Sequence, residues 1–148
     1  MSDWRSKLSE MNLTLPDAPK PVASYVVAKK VGNLIYVSGQ LPMRSGEMMA
    51  KGPVPSKVSI EDATAAARQC VLNGLAAAAS VGEPAGVVRV GGFVQCDDGF
   101  DGQPKVINGA SDFLLELFGD TGRHVRAAVG TNALPLDASV EVEFLFHE

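Results

Sequence analysis

The residue whose type and setting best suit chemistry is Arg126, which stands inside a β-rich apolar run near the C-terminus. Strand alternation places Arg126 on one face with Ala128 and Gly130, whose small side chains leave room beside a guanidinium. The rigid fork of guanidinium donors matches a carboxylate. One hypothesis is therefore a carboxylate-binding arginine. The other is an edge-strand arginine that reaches solvent or forms an ion pair with Glu141 or Glu143.

Two carboxylates follow in the last apolar run, Val140–Phe144, where Glu141 and Glu143 alternate with apolar residues and so share a face. A carboxylate at a partly buried site can accept and return protons during a reaction. The alternative is that both glutamates simply form a solvated strand face.

Other reactive residue types lack the neighbours that known chemistry needs. His124 and His147 are too few and too isolated to predict a metal site, and a structural role is expected for each. Ser38 does not lie in a Gly-x-Ser-x-Gly elbow, and the sequence has no glycine-rich phosphate loop. Cys70 and Cys96 stand in apolar stretches and are expected to be buried thiols. The sequence thus predicts no metal and no cofactor.

Composition bounds the class of protein. The chain has 148 residues, which predicts a single domain over residues 1–148. Hydrophobic residues make up 46% and charged residues 20%, which excludes a disordered chain. A net charge of −4 argues against nucleic acid or an anionic membrane as the main partner. Without an apolar leader or a membrane span in the sequence, a cytoplasmic location is expected.

The elements that must position these residues follow from periodicity and breakers. A helix is predicted over Asp3–Met11, capped by Ser2 or Asp3, and a second over Ala63–Val81 behind a Ser59 cap. The remaining predicted elements, in chain order, are strands over 22–31 and 34–38 joined at Gly32–Asn33, a short strand near 48–50, a strand over 87–95 with a bulge at Gly91–Gly92, a loop over 97–105, a helix over 108–118, and strands over 125–131 and 140–146.

This order predicts an α+β domain of two layers, with two helices on one face of a mixed sheet and residues 1–17 as an N-terminal extension. One helical layer leaves the other sheet face bare. Because such a face usually finds a partner, self-association is expected.

Three blocks of the chain together resemble the Rid family, the YjgF-like proteins also called endoribonuclease L-PSP, which have the chorismate-mutase-like fold. The resemblance runs from about Ala18 to Phe146. The blocks that carry it are Ser24–Tyr25 with Gly32–Gln40, then Val106–Ala110, and finally Arg126 with Leu134–Pro135 and Val140–Glu143. Each block alone is weak, but their order and spacing are specific.

The resemblance implies a homotrimer with clefts between subunits, in which Arg126 clamps a substrate carboxylate. It implies hydrolysis of 2-imino or enamine acids to 2-keto acids and ammonia, without a cofactor. The residues that match the family's pocket are Tyr25, Ser38, Gly39, Asn108 and Glu141. In this reading Ser38 donates to the substrate and Glu141 handles the proton of the attacking water.

The chain departs from the family at several of these places. Ala128 stands where a cysteine is common, which predicts a wider pocket that accepts bulkier imines. Ala23–Ser24 replaces a usual Gly-Pro before the tyrosine, and the 97–105 loop looks longer than in the deaminase type. These departures leave the fold and the trimer in place and bear on the substrate.

Two other functions stay open on the sequence. The same arginine pocket could serve a trimer that binds a small carboxylic or keto acid as a sensor, without turnover. Single-strand ribonuclease or translation inhibition, which the family label suggests, would need a basic surface with interleaved aromatic residues, and the sequence shows none.

Overall fold

In the computed structural model, which describes residues 3–21 and 23–148, one mixed sheet carries helices on one side. The helices are α1 (Trp4–Glu10), α2 (Ile60–Ala79) and α3 (Gln103–Phe118). The strands are β1 (Ala28–Val31), β2 (Leu34–Gln40), β3 (Met43–Arg44), β4 (Glu47–Met48), β5 (Gly86–Gln95), β6 (Val125–Thr131) and β7 (Val140–His147). This architecture confirms the predicted α+β fold.

The five-stranded sheet has the order β1-β2-β7-β5-β6. Its neighbouring strands run antiparallel except β5 and β6, which pair in parallel and are connected through α3. β3 and β4 form a separate small hairpin, which replaces the single short strand predicted near 48–50. β6 therefore lies at an edge of the sheet, and β7 lies inside it.

Asp3 and Ser59 cap the first two helices as predicted, although α2 spans Ile60–Ala79 where the sequence predicted Ala63–Val81. Asp3 accepts a hydrogen bond from the Arg5 backbone N–H at 3.0 Å, so it caps α1, whereas Ser2 lies outside the described residues. Ser59 caps α2 by accepting from the Asp62 backbone N–H at 3.0 Å. A cap of this kind satisfies one of the N–H groups that a helix start leaves without a partner.

α1 packs onto the domain rather than extending away from it. Trp4 and Leu8 are both 3% exposed and belong to the main core. The Trp4 indole N–H donates to the carbonyl of Pro84 at 2.9 Å, and its ring lies 6.1 Å from that of Phe118. The predicted N-terminal extension is thus part of the same core.

The starts of two other elements differ from the prediction. The first predicted strand begins only at Ala28, and its proposed first residue, Val22, lies outside the described residues. α3 begins at Gln103, inside the predicted 97–105 loop, because Pro104 is tolerated in the first turn of a helix. The polar loop before α3 is correspondingly shorter.

The predicted bulge at Gly91–Gly92 is wrong. β5 pairs with β7 regularly through both glycines, and the register shifts instead between Val87 and Arg89. Gly92 has a packing role, because a Cβ there would lie 2.5 Å from a side-chain carbon of Ile107. The glycine lets α3 lie close on the sheet.

The two faces of the sheet have different neighbours. Along β7 the pattern alternates between buried residues and partly exposed ones that include Glu141 and Glu143. The buried residues face α2 and α3. The other face carries exposed apolar side chains such as Val125 and Val129 on β6, as the predicted bare face requires.

Candidate functional site

Arg126 projects from edge strand β6 toward α3. One guanidinium nitrogen, Nη1, donates to the Ser111 hydroxyl at 3.0 Å, and the other, Nη2, donates to the Pro104 carbonyl at 3.2 Å. Its register partner on β5 is Val90, which is fully buried beneath the helices. Arg126 therefore lies on the helix side of the sheet.

The ion-pair alternative for Arg126 is wrong in this structure. Glu143 pairs with Arg89 instead, at 3.3 Å between Nη1 and Oε2, and Glu141 lies on the opposite face of the sheet. The edge-strand part of that alternative is right. Arg126 is half-buried, and its partners are neutral groups of α3.

Small and polar residues surround Arg126 on this side. Ala128 is half-buried on the same face of β6, and two residues further on is Gly130, where a Cβ would lie 2.6 Å from the Cys96 sulfur. Asn108 is exposed on α3, three residues before Ser111, which places both on one side of that helix. Arg126 and Ala128 thus lie on β6 and Asn108 on the neighbouring helix α3.

The other predicted site residues line a cavity of about 630 Å³ beside the end of β2 and the start of β7. Tyr25, Ser38, Gly39 and Glu141 all contribute to its surface. Its apolar wall is formed by Pro16, Pro19, Val27, Leu41, Met43, Pro135 and Leu136. We call this space the Glu141 cavity.

A bulge in β2 shapes the floor of the Glu141 cavity. Val37 pairs with Phe144 and Gln40 pairs with Val142, so Ser38 and Gly39 together face a single residue of β7. Such bulges bend a strand and redirect its side chains.

At Gly39 the absence of a Cβ leaves room for the carboxylate of Glu141, which occupies the space that a Cβ would take. The carboxylate of Glu141 therefore lies close to the backbone of β2.

Burial sets the electrostatics of Glu141. Removal from water raises the pKa of its carboxyl group above the ordinary value, and the negative charge of nearby Glu143 raises it further. A carboxylate whose pKa is raised toward neutrality is a better proton acceptor and donor than an exposed one. The solvated-face alternative therefore does not describe Glu141, although it fits Glu143, which is only partly buried and pairs with Arg89.

Ser38 is not free to donate to a ligand as the sequence reading expected. Its hydroxyl donates to the Val27 carbonyl at 3.1 Å, and its backbone N–H donates to the same oxygen at 2.9 Å. The hydroxyl would have to turn to donate elsewhere, but its lone pairs can accept. Tyr25 is 47% exposed, so its ring is open to a ligand or a partner.

Within one chain, Arg126 and Glu141 do not come together. Glu141 pairs across β5 with Phe93, which in turn pairs with Val129 of β6, and these side chains share the open face. Arg126 lies on the other face. A site that uses both Arg126 and Glu141 would need residues from two copies of the chain.

Two further residues, one beside Arg126 and one beside the Glu141 cavity, were not predicted from the sequence. Ser111 is only 7% exposed and is the direct partner of Arg126; its signal is a polar residue three positions after Asn108 in a helix. Leu136 is 71% exposed beside the Glu141 cavity and has a φ of 56°, in the left-handed region that leucine seldom adopts. Nothing in the sequence pattern indicates that conformation.

The remaining reactive residues have structural surroundings. His124 is satisfied by Ser111 and by the Gly122 carbonyl, as a structural histidine should be. Cys70 is fully buried, and burial raises the pKa of its thiol, whereas Cys96 is only partly buried, contrary to expectation. Over residues 3–21 and 23–148 no group of three or more His, Cys, Asp or Glu side chains could hold a metal ion. Within the same ranges no helix has the length and apolar character to cross a membrane.

Comparison with known proteins agrees with the α+β fold described above. Residues 5–148 match the family model described as YjgF/chorismate mutase-like, a description that also carries the label endoribonuclease. The mixed sheet with its helical layer is an α+β fold that agrees with this match, and the chain belongs to the YjgF/chorismate mutase-like family.

Individual relatives cover nearly the whole chain. Protein TCP17 of Trypanosoma cruzi is 36% identical over 145 residues, which span 95% of this chain and 91% of that protein. A 2-iminobutanoate/2-iminopropanoate deaminase of Dermatophagoides farinae is 31% identical over 134 residues, 88% of this chain and 91% of that one. The crystal structure of Atu1372 from Agrobacterium tumefaciens, a protein of unknown function, superposes with a TM-score of 0.88 at 42% identity, over 97% of this chain and 91% of that one.

Proposed function

We propose that this protein hydrolyses reactive 2-imino or enamine acids to 2-keto acids and ammonia. The observation that carries the proposal is the Glu141 carboxylate, which lies beside Gly39 in the lining of a largely apolar cavity and whose pKa is raised by burial. The relative named as an imine deaminase supports the same chemistry.

The reaction needs little from the protein. The imine carbon is already electrophilic, so neither a metal nor a covalent nucleophile is required. Water adds to that carbon while Glu141 accepts one of its protons and passes it to the imine nitrogen, which gives a carbinolamine. Glu141 then takes the hydroxyl proton and delivers it to the amino nitrogen, the C–N bond breaks, and ammonia leaves as the C=O bond forms. One water is consumed for each ammonia released.

Arg126 supplies the substrate anchor in this proposal. A guanidinium has five N–H donors, and the two donated to Ser111 and Pro104 leave three for a ligand carboxylate. Because Arg126 and Glu141 lie on opposite faces of one sheet, the proposed site is completed between copies of the chain, in a homotrimer.

The cavity wall suggests which substrates fit. Its apolar residues and the small Ala128 beside Arg126 favour an imine with a large apolar side chain. We expect a higher kcat/KM for the imine derived from leucine than for the one derived from alanine. A clear preference for the alanine-derived imine would contradict the wide-pocket argument.

The test of the proposal is accelerated loss of an imine generated in place from an amino acid by an oxidase. The wild-type protein should raise the rate of 2-keto acid release above the spontaneous rate, and Glu141→Gln should not. Binding of 2-ketobutyrate or benzoate without any acceleration would instead establish a carboxylate-binding sensor. Salt-dependent RNA binding at neutral pH would point to the ribonuclease alternative.

A further inference from the structure

A chain of hydrogen bonds connects the guanidinium of Arg126 to the backbone before β6. The Arg126 Nη1 atom lies 3.0 Å from the Ser111 hydroxyl, and that hydroxyl lies 2.8 Å from Nε2 of His124. On the other side of the imidazole ring, Nδ1 lies 2.6 Å from the carbonyl oxygen of Gly122. Ser111 and His124 thus stand in line behind Arg126.

Donor and acceptor chemistry gives this row of hydrogen bonds a single direction. A guanidinium can only donate, so the Ser111 oxygen accepts from Arg126 and its single proton points to His124 Nε2. The Gly122 carbonyl can only accept, so Nδ1 of His124 carries the ring proton. A neutral imidazole in this tautomer satisfies every member of the chain at once.

The hydrogen bonds through Ser111 and His124 hold one nitrogen of the Arg126 guanidinium, and a bond from the other nitrogen fixes its orientation. Nη2 donates to the Pro104 carbonyl in the first turn of α3, 3.2 Å away. Both anchors belong to α3, which is packed on the sheet at Gly92. An arginine on an edge strand would otherwise sample many rotamers and would lose that freedom when a ligand binds.

We propose that Ser111 and His124 are positioning residues that hold the Arg126 guanidinium ready for a substrate carboxylate. The inference rests on the proposed function in one respect, namely that Arg126 binds the carboxylate. Neither residue touches the substrate. Their effect is on the affinity for the carboxylate group, and the chemical step at Glu141 is independent of them.

The experiment measures the affinity of the full-length protein for benzoate by calorimetry. Ser111→Ala should weaken binding on the order of 3- to 10-fold, because the released arginine must be ordered again on binding. His124→Phe should act in the same direction, since it removes the acceptor that orients the Ser111 hydroxyl. Ser80→Ala is the matched control, because it removes a serine hydroxyl bonded to the Ala77 carbonyl, away from Arg126, and it should leave the affinity unchanged.

Two readouts separate positioning from a merely structural role. In a double-mutant cycle, Ser111→Ala and His124→Phe should be strongly non-additive, because they interrupt one chain. In imine hydrolysis, Ser111→Ala should raise KM and leave kcat nearly unchanged, as expected for an interaction present equally in the ground and transition states. A structural role would lower the melting temperature without changing the benzoate affinity.

The outcomes distinguish this inference from the proposal on which it rests. Wild-type benzoate affinity in both Ser111→Ala and His124→Phe would overturn the positioning role while Arg126→Ala still abolished binding. Wild-type affinity in Arg126→Ala would instead remove the carboxylate clamp itself. If Ser111→Ala does not fold, His124→Phe alone decides, because its ring fills the same space.

Discussion

At the scale of single residues, the environment of each charged group determines its use. Neutral partners on α3 take two of the five guanidinium N–H groups of Arg126, which leaves three for the proposed substrate carboxylate. Glu141 is partly removed from water and close to a second carboxylate, which raises its pKa. Its neighbour Glu143, two residues on along the same face, pairs with Arg89 and serves as the natural control.

For carboxylate binding by Arg126 we expect the planar guanidinium, with its parallel N–H donors, to contribute more than the positive charge alone. Arg126→Lys keeps the positive charge but loses one of two parallel bonds to a carboxylate, each worth about 1.5–3 kcal/mol. Imine hydrolysis should lose about 10- to 100-fold in kcat/KM, at about 1.4 kcal/mol per tenfold. Arg123→Lys is the matched control, because the Arg123 side chain is 78% exposed. Full activity in Arg126→Ala would falsify the clamp.

Glu141→Gln should abolish activity and stabilise the fold at neutral pH. General acid–base catalysis contributes about 10²- to 10⁴-fold, and that factor should be lost in steady-state assays. Because the folded pKa of Glu141 is raised, the native state favours the protonated form. The contribution of the Glu141 carboxyl group to the free energy of unfolding is fully present below the pKa that this group has in the unfolded chain. That contribution is lost as the pH rises through the higher pKa that the group has in the folded protein.

Melting curves across pH check the sign of this effect. Glu141→Gln should melt above the wild type at pH 7, and the difference should disappear below the ordinary glutamate pKa of 4.5. Glu143→Gln should keep its activity, since Glu143 is not a cavity residue. A lower melting temperature for Glu141→Gln at pH 7 would show that the carboxylate is not desolvated.

At the scale of elements, close contacts decide where the helices lie. Gly92 lets α3 approach the sheet, and Gly39 lets the Glu141 carboxylate approach β2. α1 adds Trp4 to the same core, although α1 is well separated in sequence from β1, the next element.

Trp4→Ala should therefore destabilise the fold without affecting catalysis. Removing a buried tryptophan side chain costs about 3–5 kcal/mol, and denaturant unfolding at fixed protein concentration should measure it. Arg5→Ala is the neighbouring control: it removes an exposed ion pair with Glu83, worth about 0–1 kcal/mol, and the guanidinium 4.4 Å over the Trp4 ring, worth about 0.5–1 kcal/mol at an exposed site, so it should cost less than Trp4→Ala. Equal stabilities of the two variants would mean that α1 does not contribute to the core.

At the scale of the whole molecule, the sheet separates the proposed binding and proton-transfer groups. Val125 and Val129 leave an apolar patch on the open face, which also carries Glu141 and suits burial against another copy. The proposed trimer should have about three times the chain mass of 15.5 kDa in light scattering. A stable monomer at micromolar concentration would contradict both the trimer and the shared site.

Complementation between two inactive variants tests the shared site directly. When Arg126→Ala and Glu141→Gln chains are dissociated, mixed equally and reassembled, about one interface in four should combine an intact Arg126 with an intact Glu141. Activity should return to about a quarter of the wild-type level on the same symmetry argument. As the control, mixing Arg126→Ala with the double variant should restore nothing. Failure of the first mixture to regain activity would place the whole site within one chain.

The sequence by itself determined the three helices, the five strands of the main sheet, their order and the residues with reactive side chains, but not the small β3–β4 hairpin. Alternation placed Arg126 with Ala128, and the caps Asp3 and Ser59 located two helix starts, because these signals act over a few neighbouring residues. Only the tertiary structure decided that Arg126 faces α3 while Glu141 faces the open side. The partnership of Ser111 with Arg126 and the packing roles of Gly39 and Gly92 likewise depend on contacts between segments distant in the chain. A local pattern cannot specify such contacts, because strand register and helix docking are set by the packing of the whole domain.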